Sequence, residues 1–409
     1  MMAAERTILV ATSYFDGVRH LDRGPYSLFV EGGRIVDIVA GDAVANTTLG
    51  PPGFRASRHE TQRVAFVMPG LVEGHCHLFL DGGELDFDRR SQYLKASADE
   101  MAVVARRNLK AAAAAGITLV RDAGDKYGIN HKMRAESEGD GYAGPAVRSP
   151  GLALRKPKRY GIFMARPVRD AAEIREAMKE LVATSNDIKI ILTGIINFEA
   201  GAVTEPPQFD ADELALIINI AHDHGLPTFA HCSGIDGIRL AVEAGVDSIE
   251  HGFFMDRDAL AIMADKGIAW VPTFSPVHFQ WARPELAGWS QEVIGHLRRI
   301  LDSHTDHIAI AHDLGVPIVC GSDAGSVGVL HGRALLDEIG FLLSAGLPME
   351  AVLEAATSRP RRLWRADPAD IKIGAAADMI TLSASPFDDP ANLAPSRILA
   401  KPAPYLKVG

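Results

Sequence analysis

In the stretch LVEGHCHLFL, His75 and His77 stand one residue apart at the end of an apolar run, with Cys76 between them. Alternate side chains of an extended strand share a face, so both imidazoles point one way and the thiol points the other. Further donors of the same kind follow short β-branched runs: His231 in PTFAHCSG, His251 in DSIEHG and Asp323 in VPIVCGSDAG. Singly, each could be a hydrogen-bonded polar group. Together, imidazole nitrogens and a carboxylate suit zinc or a similar divalent ion. Lys189 carries a different chemistry. It lies in DIKIIL with apolar neighbours on both sides, where desolvation favours the neutral amine. A neutral amine reacts with carbon dioxide, and the carbamate formed is a bidentate anion able to bridge two metal ions. The alternative for Lys189 is pairing with a buried carboxylate.

These residues need elements to bring them together, and the sequence punctuates such elements repeatedly. AAAAAGITLVRDAG, AHDHGLPTFAHCSG, AVEAGVDSIEHG, MADKGIAWVPTF and AHDLGVPIVCGSDAG each read as a helix end, a glycine cap and a strand. The second and last match closely, as two copies of one helix–strand unit would. With FVMPGLVEGHCH, AVRSPGLAL and DIKIILTG they give eight strands between about Val64 and Asp323. The alternation predicts a parallel sheet, and eight units over this span predict an α/β fold of the (β/α)8 TIM-barrel type. Residues 67–365 would form the barrel. Residues 1–66, with RTILVATSYFDG and the hairpin SLFVEGGRIVDIVAG, and residues 366–409, with DIKIGAAADMITLSAS and AKPAPYLKVG, would make a small β-sandwich-like domain from both chain ends.

Side chains at the C-terminal ends of barrel strands build the active site of such a fold. That rule groups His75 and His77 after the first strand, Lys189 in the fourth, His231 after the fifth, His251 after the sixth and Asp323 after the eighth. His222 and His224 precede the fifth strand and fall at the opposite end. His304, His307 and His312 share a helical segment with Asp302, Asp306 and Asp313 and read as solvated.

Bulk properties bound the function. The chain has 409 residues, 47% hydrophobic and 23% charged, which suits a large core with an accessory domain. Its net charge of −10 argues against nucleic-acid and anionic-membrane partners, both of which reward basic surfaces. MMAAERTILVATSYFDG lacks the apolar centre of a signal peptide, and no apolar run approaches the length of a membrane span, so a cytoplasmic protein is expected. Three scattered cysteines, Cys76, Cys232 and Cys320, offer neither a disulfide framework nor a CxxC metal site.

The set His75-x-His77, Lys189, His231, His251 and Asp323, in this strand order, resembles the amidohydrolase superfamily in its binuclear, carbamylated-lysine form. VMPGLVEGHCHLF, VPIVCGSDAG and VLEAATSRPRRLW followed by IKIGAAADMITLSASP extend the likeness over nearly the whole chain. The closest likeness is to imidazolonepropionase-like proteins and Xaa-Pro or Xaa-Arg dipeptidases. The resemblance implies a metal-dependent hydrolase that cleaves an amide or related C–N bond by a hydroxide shared between two divalent ions, zinc foremost. It implies that His75, His77 and Asp323 hold one ion, that His231 and His251 hold the other, and that a CO2-derived carbamate on Lys189 bridges them. Asp323 would also move the proton.

The substrate would be a small molecule: a dipeptide, an N-acyl amino acid, a cyclic amide, or a carbamate or lactone. Relatives assemble into dimers or larger rings, so a homo-oligomer is an option. The chain departs from the dipeptidase branch by having no histidine between His131 and His222; the corresponding loop reads LRKPKRYGIF. Its basic residues suggest a carboxylate-bearing substrate, with Arg155, Arg159, Tyr160 and His278 as candidate substrate contacts. Two other readings stay open: a mononuclear deaminase or imidazolonepropionase-like cyclic amide hydrolase, and a non-catalytic binding homologue.

Overall fold

The computed structural model describes residues 6–55 and 59–398. The expected glycine caps are present. Gly116, Gly225, Gly245, Gly267 and Gly315 take φ between 69° and 84°, each between a helix and the strand-forming segment that follows it. Only a residue without a Cβ enters this left-handed region at no cost. Helix starts are equally local in origin. Ser97 with Glu100, and Asp210 with Glu213, form capping boxes on helices Ala98–Ala114 and Ala211–Asp223.

Among the described residues sixteen strands follow in chain order: β1 (Arg6–Phe15), β2 (His20–Leu21), β3 (Tyr26–Glu31), β4 (Arg34–Ala40), β5 (Glu60–Pro69), β6 (Leu71–Cys76), β7 (Ile117–Asp122), β8 (Ala146–Arg148), β9 (Ala153–Arg155), β10 (Ala165–Pro167), β11 (Ile188–Ile191), β12 (Thr228–Cys232), β13 (Ser248–His251), β14 (Ala269–Val271), β15 (Met379–Leu382) and β16 (Pro395–Ile398). Strands from both chain ends pair in one seven-stranded sheet of order β16-β15-β5-β1-β3-β4, with β2 paired to β1, and not in the two facing sheets that the expected sandwich would need. Alternation along β1 covers it on both faces. Leu9 and Ala11 join Leu28, Ile35 and Met379 on one side, while Ile8 and Val10 join Phe29 and Phe54 on the other. The expected strand AKPAPYLKVG, residues 400–409, lies outside the described residues.

The remaining strands form two parallel sheets, β6-β7-β8 and β10-β9-β11-β12-β13-β14, with helices between successive strands except from β8 through β9 to β10, where loops alone connect them. AVRSPGLAL, expected as one strand, is broken into β8 and β9 by Pro150 and Gly151, the glycine at φ 68°. VPIVCGSDAG makes single bridges instead of a ladder. Ile318 bridges Trp270 in β14, and Ala324 bridges Cys76 in β6. Between them the Gly74 amide donates to the Cys320 carbonyl at 3.0 Å, and the Asp323 amide donates to the His75 carbonyl at 2.7 Å. Glycine is required where these backbones cross, since a Cβ on Gly74 would lie 2.5 Å from the Cys320 oxygen.

A further sequence expectation fails on helix Gln291–Leu314. His304 is not solvated: it is 3% exposed, stacks on Phe253 at 4.0 Å and donates from Nε2 to the Pro272 carbonyl at 3.1 Å. It falls on the buried stripe Leu297, Leu301, Ile308 and Ala311 of helix Gln291–Leu314. His307 and His312 are half-buried on the same helix.

Candidate metal centre

Strand ends bring the chemistry together. His75 closes β6, His231 and His251 sit at the ends of β12 and β13, Lys189 lies within β11, and Asp323 follows the bridging segment. All five, with His77, line one cavity of about 260 Å³. His222 and His224 do not. His222 is exposed and bound to Asp247 at 2.8 Å, at the start of β13, the opposite end of the strands.

His75 Nε2 and His77 Nε2 lie 3.7 and 3.5 Å from Asp323 Oδ1. These separations are too long for hydrogen bonds, but they suit a shared ion. Around a cation with bonds of about 2.1 Å, tetrahedral neighbours stand about 3.4 Å apart. The three groups offer ligand atoms within 4.8 Å of one another. Asp323 Oδ1 is buried and has no hydrogen-bond partner, a state that costs free energy unless a cation or proton satisfies it.

A second donor pair stands beside the first. His251 Nε2 and His231 Nδ1 meet at 2.8 Å, while His251 Nδ1 is held by the Thr273 hydroxyl at 2.7 Å. Lys189 is 1% exposed, its Nζ has no hydrogen-bond partner, and it lies 4.6 Å from the Phe229 ring centroid. Backbone strain gathers here too. His251, Thr273 and Asp323 take φ of 70°, 50° and 55°, a region costly for residues with a Cβ and held where the surroundings fix it.

Electrostatics leaves the imidazoles uncharged. Burial, reinforced by the Lys189 charge, lowers His77 and His231 to about 3. His75 and His251 are also driven well below the usual histidine value, chiefly by burial. Neutral imidazole is the ligating form. Burial lowers Lys189 to about 8, with Glu250 opposing and Arg121 assisting, and raises Asp323 to about 7 against the pull of Lys189.

The ligand geometry rests on residues that the sequence reading passed over. Glu250, fully buried, accepts from His75 Nδ1 at 2.5 Å, Arg121 Nη2 at 2.8 Å and Ser248 Oγ at 2.7 Å. It therefore fixes the tautomer that leaves His75 Nε2 facing the cavity. The Arg121 guanidinium lies between the rings of Phe229 and Trp364, at 4.3 and 4.4 Å from their centroids. Glu73, also buried, takes the amide and hydroxyl of Ser322 at 2.8 and 2.6 Å and thereby anchors the loop before Asp323. A signal existed for all three. Charged residues inside the apolar strands LVEGH, TLVRD and DSIEH must find buried partners.

The four candidate substrate contacts separate. Tyr160 lines the cavity, its ring 5.2 Å from that of His231, and burial raises its phenol well above the usual value. Arg155 is buried outside the cavity lining and donates to the carbonyls of Lys156 and Arg159 at 2.9 and 3.4 Å. Arg159 faces an adjoining outer cavity of about 790 Å³, where Glu205 holds it at 3.1 Å. His278 is half-buried 4.7 Å from the Phe341 ring and does not line the cavity. The inner and outer cavities share Tyr160, Phe198 and Gln280.

Known proteins resemble this chain over most of its length. Ochratoxinase of Aspergillus niger is 28% identical over 371 residues, covering 83% of this chain and 74% of its own. Imidazolonepropionase of Mycolicibacterium smegmatis is 25% identical over 405 residues, covering 89% and 87%. A Xaa-Pro dipeptidase crystallised with methionine in its active site superposes with a TM-score of 0.79 at 24% identity, covering 96% of this chain and 97% of that one. The amidohydrolase family profile matches residues 66–403. The chain belongs to the amidohydrolase family.

Proposed function

We propose that this protein hydrolyses the amide, or a related C–N bond, of a small molecule bound in the inner cavity, using two divalent ions. The observation that carries the reading is Lys189: a buried amine with no hydrogen-bond partner, in the cavity that also holds the imidazoles of His75, His77, His231 and His251 and the Asp323 carboxylate. His75, His77 and Asp323 would hold one ion, zinc foremost, and His231 and His251 the other. Lys189 would join them as its carbamate. When bound, such ions polarise a scissile carbonyl and bring the pKa of water to roughly 7.

The chain's own groups do the rest. Asp323 stands between the two first-strand histidines with one oxygen unpartnered, able to take the proton of the attacking water and return it to the leaving amine. Tyr160, half-buried and protonated, can donate its phenolic hydrogen to the substrate where the dipeptidase branch carries a histidine. The small cavity volume limits the water around the reacting bond. The same reading takes the two parallel sheets and the bridging segment that touches β14 and β6 as a closed (β/α)8 barrel over residues 67–365, and places the protein in the cytoplasm.

The test is elemental analysis of protein purified with zinc and bicarbonate, joined to a turnover screen of dipeptides and N-acyl amino acids. Two ions per chain, turnover of at least one amide class, and loss of both in Lys189→Ala support the proposal. One ion per chain with an active Lys189→Ala would establish the mononuclear alternative. Bound metal without turnover of any amide would point to a binding protein.

A further inference from the structure

The basic loop Arg155–Tyr160 invites assignment as a carboxylate receptor, yet none of its cations faces the inner cavity: Arg155 is not among the cavity residues, and Arg159 is held by Glu205. One guanidinium does face it. Arg90, on helix Phe87–Tyr93, is the only arginine lining that cavity among the described residues. Its bonds run to backbone carbonyls alone: Nη1 to Asp81 at 2.5 Å and Glu84 at 3.3 Å, and Nη2 to Gly325 at 2.8 Å. Backbone carbonyls orient a guanidinium without neutralising it. Two nearby carboxylates are engaged elsewhere, Asp81 with Arg107 at 2.8 Å and Glu84 with Arg89 at 3.8 Å. A guanidinium has five N–H donors, so three bonds leave two, the number a bidentate carboxylate contact uses. The Gly325 bond also ties Arg90 to the loop that carries Asp323.

On its other side Arg90 borders a second cavity, of about 240 Å³, which shares Leu80, Arg90 and Phe163 with the first. Its further lining is the apolar Tyr93, Leu94 and Val104 together with the ion-paired Asp81, Glu84 and Arg89. A fixed cation beside an apolar recess, next to a hydrolytic centre, is complementary to an α-amino acid with an apolar side chain. We propose that Arg90 receives the substrate's carboxylate and that the adjoining recess receives the side chain of the same residue, so that the amine released is an apolar α-amino acid. The other half of the substrate then extends past Tyr160 and Gln280 into the outer cavity, whose walls include Phe87, Ile195, Phe198 and Trp289. This assignment deepens the proposed amide hydrolysis and rests on it.

Binding of the product tests it without bond cleavage. Metal-loaded wild type, Arg90→Met and Arg90→Lys are titrated calorimetrically with L-leucine and with L-leucinol, which lacks the carboxylate. Wild type should bind leucine at least about tenfold more tightly than leucinol, as loss of a charge-assisted contact implies. Arg90→Met should erase the preference, leaving leucinol affinity unchanged, and Arg90→Lys should retain part of it. Val104→Trp, which fills the recess, should turn a preference for leucine over alanine into the reverse. No binding of leucine, equal binding of leucine and leucinol in wild type, or an undiminished preference in Arg90→Met would overturn the assignment. Failure of the amide-hydrolysis reading would appear separately, as absent turnover in the screen above.

Discussion

Replacing Glu250 by glutamine changes one oxygen for an amide nitrogen in a site with no exposure to solvent. The carboxylate serves Arg121, Ser248 and His75 at once, and glutamine offers only one acceptor to these three. Arg121 is 1% exposed and held between two aromatic rings, so it cannot swing out to water and stays as an unbalanced buried charge. Removing one partner of such a pair costs about 3–5 kcal/mol. Because the glutamine carbonyl can still accept one bond from the guanidinium, the lower end, about 3 kcal/mol, is expected. The second consequence concerns the ion. His75 loses the acceptor that holds its Nδ1 hydrogen, and loss of such an outer partner weakens metal affinity about 10- to 100-fold.

Denaturant unfolding of metal-free protein measures the first effect, and competition with a chelator measures the second. The double variant Arg121→Met with Glu250→Gln should recover part of the stability, because the stranded charge is gone, but none of the metal affinity. A stability change below about 1 kcal/mol, with metal affinity unaltered, would refute the idea that Glu250 couples Arg121 to His75.

Lys189 gives a pH signature. Its folded pKa of about 8 lies below the ordinary 10.5, so below pH 8 both states carry the proton and the full burial cost is felt. As pH rises from 8 toward 10.5 the folded amine is neutral while the unfolded chain remains charged, and metal-free protein should gain about 3 kcal/mol. Lys189→Met should flatten that slope in pH-resolved denaturation curves; an unchanged slope would assign it to other groups. Asp323→Asn should lower turnover by more than the roughly 10²- to 10⁴-fold expected of acid–base loss alone, since it also removes a ligand atom, whereas His222→Ala should leave kcat/KM nearly intact in the same assay. An inactive His222→Ala with normal metal content would mean that the exposed His222–Asp247 pair takes part in the reaction.

The sequence made some of this legible because strand punctuation is local. A glycine cap, a β-branched run and a polar residue sit within about ten positions of one another, so the end of each strand and its donor could be read together. The supporting network was harder, because Arg121 and Glu250 meet across 129 residues of chain and only the oddity of a charge in an apolar strand marks either. Arg90 was invisible for a different reason. It stands on a seven-residue helix with no buried residue, and its position depends on carbonyls supplied by two separate loops. The acidic neighbours of His304 on the sequence point to solvent, whereas its spacing from Leu297, Leu301, Ile308 and Ala311 places it on the inner face. The bridging segment before Asp323 could not be told from a regular strand, since its composition is the same and only tertiary contacts limit its pairing to single bridges.

β5 and β6 are separated only by Gly70, so one nearly continuous stretch from Glu60 to Cys76 begins in the small sheet and ends at His75. In that sheet β5 lies between β1, an N-terminal neighbour, and β15, which begins only at Met379. On the ribosome, therefore, the segment that carries the first histidine is bordered on one side early and on the other only after residues 70–378 have been made. Until Met379–Leu382 emerges, one edge of β5 presents unpaired amides and carbonyls beside Phe66, Val67 and Met68, all buried in the finished fold. Such an edge is a template for pairing with another chain. A chain that stopped before Met379 would thus lose more than a strand: it would carry an open, apolar edge leading directly to His75 and His77.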